Sequence, residues 1–138
     1  MTTQQQLEFK APSHTAGAAA VAALISPLPL IGTWSNTDKT TNDIVKIVIA
    51  ASGTGISVDV FGACVPAPCV WGKVPAISYA ATVSSVPAIA FSAQYKFSFA
   101  QVIVVGHLNG KYLEVETFTE FTDGSGRSDL YTADQFIK

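Results

Sequence analysis

The sequence predicts an all-β protein whose strands, about eight in number, close as an antiparallel up-and-down barrel, and three observations lead there. Apolar segments of about seven to eleven residues recur from Leu30 onward, each bounded by glycine, proline, asparagine or aspartate. The stretches between them are too short to hold a crossover helix, so consecutive strands run antiparallel. Apolar residues make up 49% of the 138 positions and charged ones 13%, where ordinary soluble chains carry about 25% charged. An open sheet this apolar would expose edges that closure removes. An open sandwich is the competing topology. The length is that of one domain, with an N-terminal arm over residues 1–29, helical or disordered, and a β-barrel domain over 30–138.

In the arm, Ser13 caps a short alanine-rich helix across Ala16–Ile25 that Ser26 and Pro27 end. The other readings are a disordered arm and the remnant of a secretory leader, although Met1–Phe9 carries no basic residue. At about ten residues the segment has half the length of a bilayer span. Leu30–Asn36 is the first strand, and the polar stretch to Asp43 turns. Ile44–Ala51 is mostly β-branched and Ser52–Gly55 turns again. Ile56–Ala63 sets Ile56, Val58 and Val60 against Ser57, Asp59 and Phe61, the period-two pattern of a strand with one drier face. The return strand from Cys69 meets Gly72 and Pro75, which predict a bulge or an edge break before Ala76–Val83. Ala88–Phe97 and Ser98–Leu108 follow, and Asn109-Gly110 is a type I′ hairpin signal. Lys111–Phe121 alternates, Asp123–Gly126 turns, and Ser128–Ile137 closes the chain.

The two cysteines sit inside F-G-A-C-V-P-A-P-C-V-W-G, Phe61–Gly72. Pro66 and Pro68 lack amide donors, which suits a hairpin tip and not a ladder. Residues flanking such a tip come within the Cα separation a disulfide requires. A Cys64–Cys69 bridge and a pair of reduced thiols both fit this spacing, and the redox compartment decides between them. Over so short a loop a bridge is worth roughly 2 kcal/mol, so the fold should survive its loss. Zinc would need four ligands, and C-x4-C with only His14 and His107 elsewhere supplies no recognised spacing; no metal and no cofactor are expected.

Gly32-Thr33-Trp34 resembles the G-x-W signature of the calycin superfamily, which includes lipocalins, fatty-acid-binding proteins and avidins. Ser35-Asn36, the threonine-rich turn and the total length look more like an avidin than a lipocalin. The resemblance implies a β-barrel with Trp34 packed at its closed end and a cavity opposite for a small, often apolar molecule. It does not extend to the cysteine hairpin or to a set of biotin contacts, so biotin binding is not expected.

A net charge of −2 without a lysine or arginine cluster excludes the electrostatic footprint of nucleic-acid binding. The apolar excess calls for an enclosed cavity, a face covered by another subunit, or a lipid-facing band, and the charges along Lys111–Phe121 argue against the last. The first functional reading is therefore a homo-oligomeric barrel, without a membrane span, binding a small hydrophobic or aromatic molecule in its lumen. Either a cytoplasmic or a secreted location is consistent with this. Trp34, Trp71, Tyr79, Tyr95 and Tyr112 are the candidate pocket aromatics, most of them offering an apolar body and one polar tip. Glu114 and Glu116, with Glu120 on the same strand face, make either a solvated face or a polar floor to the lumen. His107 is a strand-end residue near solvent, or a general base if Glu114, Glu116 or Asp59 orients it. The loop Asp123–Arg127 is a hairpin turn or a weak anion cradle. Without a nucleophile elbow, two further readings stand. One is a cofactor-independent cyclase or isomerase that shapes a substrate in the same lumen. The other is a lectin-like or protein-recognition module using the Cys64–Trp71 hairpin. Binder and enzyme are both open on the sequence.

Overall fold

A computed structural model describes residues 24–138. They form a closed barrel of eight strands paired in chain order: β1 (Gly32–Asn36), β2 (Ile44–Ser52), β3 (Gly55–Gly62), β4 (Cys69–Ala80), β5 (Ala88–Lys96), β6 (Ala100–Asn109), β7 (Tyr112–Phe121) and β8 (Leu130–Ile137). Successive strands are antiparallel, and β8 returns to β1 to close the ring. The up-and-down barrel expected from the sequence is thus the fold, and the sandwich is not. Most strand ends fall within two residues of their sequence-based limits because the turn residues fix them; Gly110, for example, adopts φ +62° in the Asn109-Gly110 hairpin.

Of the bulge and the edge break expected at Gly72 and Pro75, the structure has the bulge: Cys69–Ala80 is continuous over 12 residues, and the chain turns only after Ala80. The register shift between Val60 and Phe61 makes Trp71 an extra residue opposite β3, with Gly72 at φ +104°. Pro75 keeps its place opposite Ser57. The first strand begins at Gly32, not Leu30, because Leu28–Leu30 form a single 3-10 turn behind Pro27. The helix expected over Ala16–Ile25, and its cap Ser13, lie outside the described residues except for Leu24 and Ile25, which are not helical.

The inward parity fills the barrel with side chains. Leu30, Ile47, Ile49, Val58, Val60, Phe91, Val104, Leu113 and Phe136 are fully buried. At one end the 3-10 turn lies across the opening, and the indole of Trp34 donates to the Leu30 carbonyl at 2.9 Å. Ser26 extends this closure by bonding to both sides of Pro87, its amide to the Val86 carbonyl at 2.7 Å and its carbonyl to the Ala88 amide at 2.9 Å. Tight packing in the middle depends on one missing side chain: a Cβ on Gly106 would stand 2.5 Å from Phe91 Cε1. The seam between β1 and β8 is the thinnest, with only Ser35 opposite Ile137 and Asn36 opposite Phe136. Among the described residues no helix is long and apolar enough to cross a membrane.

Candidate binding site at the open end of the barrel

Burial falls along the inward face toward the other end of the barrel. Phe91 and Tyr95 are buried, Phe97 is half-buried and Phe99 is exposed. This end is ringed by the turn after β1, the cysteine hairpin between β3 and β4, the Phe97–Phe99 turn and the loop between β7 and β8. No structure covers it among the described residues.

One side of the opening is aromatic. The bulge at Trp71 and Gly72 turns the indole inward, where it meets Tyr95 edge-on at 5.5 Å and Phe97 edge-on at 5.8 Å between ring centres. Tyr95 stacks on Phe97 at 5.7 Å, and Phe97 on Phe99 at 5.4 Å. Space for the indole comes from Gly62, where a Cβ would lie 2.9 Å from Trp71 Nε1. The hairpin beneath is closed by Cys64 and Cys69, which sit at disulfide distance with Cα atoms 5.4 Å apart. Arg127, tied to Asp123 at 2.9 Å, lays its guanidinium 4.0 Å over the Phe121 ring and 5.9 Å from that of Phe99. The Asp123–Arg127 loop is therefore occupied by its own ion pair.

The opposite side, at the β8–β1 seam, is polar. Asn36 is buried, donates to the Ile44 carbonyl at 2.9 Å and accepts from the Asp38 amide at 2.8 Å. Thr117 and Thr132 hydrogen-bond to each other through their hydroxyls. Burial, followed by the neighbouring Asp43 carboxyl, pushes the Asp134 carboxyl up to about 6; Asn36 pulls it down, and the charges of Asp43 and Asp38 add to the rise. Asp43 Oδ2 is also buried with no donor among the described residues. Since β8 and β1 lie across the ring from β4 and β5, the polar and the aromatic sides stand opposite each other at this end of the barrel.

The residues singled out from the sequence scatter. Trp34 is buried at the closed end, as the G-x-W resemblance implies. Trp71 and Tyr95 come together at the open end. The Tyr95 hydroxyl is directed at the carbonyls of Val58, at 3.1 Å, and Gly72, at 2.8 Å, and burial pushes its pKa up to about 12. It is a buttress with no proton to spare. Tyr79, His107, Tyr112, Glu114 and Glu116 all lie on the outer wall, so the polar-floor reading of the glutamates is replaced by the solvated face. Tyr79 meets Ser92 Oγ at 2.7 Å, Glu116 accepts from Tyr131 at 2.7 Å, and Glu114 accepts from Gln135 at 3.3 Å. His107 stands opposite Glu114 outside the barrel, which removes it from any lumen chemistry. Asp59 also points outward, with Oδ1 buried and unpaired.

Asn36, Asp43, Phe97, Phe99 and Asp134 were not singled out. Counting by twos from Trp34 and Phe136 puts Asn36 and Asp134 on the inward face, a signal that the sequence carries once those two anchors are trusted. Asp43 and the two phenylalanines sit in turns, where no parity rule applies. Among the described residues no group of three or more potential metal ligands is found. No family model, no curated protein and no solved structure matches this chain.

Proposed function

We propose that the protein is a binding barrel that takes a small molecule with a flat apolar body and a cationic or hydrogen-bond-donating group at its open end. The observation that carries this reading is the half-buried Asp43 and Asp134, with Asp43 Oδ2 buried and without a donor among the described residues, at the same end of the barrel as Trp71, Phe97 and Phe99. An amine placed at these carboxyls supplies the donor that Asp43 Oδ2 lacks, and a ring extending from it reaches the aromatic side. The resemblance of Gly32-Thr33-Trp34 to calycins supports a site opposite the closed end. The filled lower half of the barrel favours a shallow mouth over a deep lumen. A cyclase or isomerase finds less support, since the Tyr95 hydroxyl is spent on backbone carbonyls and the histidine is outside.

Calorimetric titration with tryptamine tests the reading, with indoleacetate as the counterpart of opposite charge. Tryptamine should bind at about pH 7.5 and about tenfold more weakly near pH 5, where Asp134 keeps its proton. Indoleacetate should not bind. Trp71→Ala should abolish the signal, and Asp134→Asn should remove its pH dependence. Absence of tryptamine binding, or equal binding of indoleacetate, contradicts the reading.

A further inference from the structure

The outer wall is not uniformly polar. Register pairing sets Gln94, Ile103, Phe118 and Tyr131 in one row across β5 to β8, and Ile77, Ser92, Val105, Glu116 and Ala133 in the row beside it. Ile77 is 60% exposed, Tyr131 55%, and Ile103 and Phe118 44% each. Phe118 and Tyr131 pack at 5.3 Å between ring centres and help line a groove of about 420 Å³ running over Ile103. Ile103, Phe118 and Tyr131 form the exposed apolar centre of this wall, with a polar rim around it, the composition that marks a protein contact face.

The charges around this patch are segregated. Lys73 and Lys96 lie on the β4–β5 side; Glu114, Glu116 and Glu120 lie on β7, with Lys96, Gln101 and Glu120 in one row. We infer that this wall is the contact face of a homodimer whose two-fold axis runs along β6. Rotation about that axis sets β5 of one protomer against β7 of the other at the same height. Lys96 then meets the partner's Glu120, and Ile103 meets its own copy on the axis, flanked by the partner's Phe118. An axis across the strands would instead set β7 on β7 and acid on acid, which like-charge repulsion disfavours. The patch thus complements itself in one orientation. The inference is argued from the outward-facing residues of β5 to β8 and does not rest on the ligand reading.

Sedimentation equilibrium of the full chain tests this. The protein should be dimeric at about 100 μM, and Ile103→Glu, which sets two like charges on the axis, should make it monomeric while leaving its circular dichroism unchanged. Lys96→Glu and Glu120→Lys should each weaken the dimer about tenfold or more, and the double variant Lys96→Glu with Glu120→Lys should restore it, because the swapped charges meet again across the axis. The charge swaps read the interface even if Ile103→Glu fails to fold. A monomeric wild type, a dimer indifferent to Ile103→Glu, or a double variant no tighter than the singles would overturn the inference.

Discussion

Gly62 and Gly106 show how single side chains, by being absent, shape the interior. A methyl at Gly62 would press on the Trp71 indole at 2.9 Å, and that ring is already held by Tyr95 and Phe97. Gly62→Ala should therefore destabilise by about 1–3 kcal/mol and also weaken tryptamine binding, since the ring it displaces belongs to the mouth. Gly106→Ala drives a methyl into the buried Phe91 ring. It should destabilise by a similar ~1–3 kcal/mol and leave the ligand site alone. Urea unfolding separates the two from wild type by midpoint at constant slope, and calorimetry separates them from each other. Trp34 combines packing with one hydrogen bond to Leu30. Trp34→Phe strands that carbonyl under the closing turn and should lower stability by about 1–3 kcal/mol.

At the level of elements, β8 at the thin seam carries Asp134, whose carboxyl burial pushes up. Asp134 releases its proton at about 6 in the folded state and near 4 in an unfolded chain. The folded form thus binds more protons between those values, so the stability this contributes is complete below about pH 4 and is lost as pH rises through about 6. Asp38 and Asp123 act in the opposite sense. Their carboxyls are held low, Asp38 by bonds from the Thr40 amide and hydroxyl and Asp123 by bonds from Ser125; their contribution is present above about pH 4 and disappears in stronger acid. Asp134→Asn should therefore flatten the fall in melting temperature between about pH 4 and pH 6, leaving the opposite-signed contributions of Asp38 and Asp123 in place. In the cysteine hairpin the closed loop is short, so Cys64→Ser with Cys69→Ser should lower stability by roughly 2 kcal/mol and retain the strand signature in circular dichroism.

For the whole molecule, the barrel was legible because its signals are local: β-branched alternation, Asn109-Gly110, and turns between segments too short for crossover. The end of the first strand nearest the arm was misplaced by two residues because Pro27 and Pro29 support a 3-10 turn as readily as an approach to a strand. The sequence does not separate the bulged, continuous β4 from a broken strand, because a glycine and a proline look the same in both. The site was read less well. Inward parity at Trp71 depends on a bulge, and the pairing of Asp43 with Asp134 depends on which strands meet at the seam, a relation 91 positions apart in the chain that only closure creates. Polar tips on Tyr79 and Tyr112 drew attention from the sequence, yet closure turned both outward.

Amide and indole NMR of the labelled protein, titrated with tryptamine at about pH 7.5, is the most direct test of a binding site at the open end. Resonances of Asn36, Asp134, Phe97, Phe99 and the Trp71 indole should move together while those of Trp34 at the closed end stay fixed. Shifts confined to Ile103, Phe118 and Tyr131 on the outer wall, or no shifts at all, would contradict it.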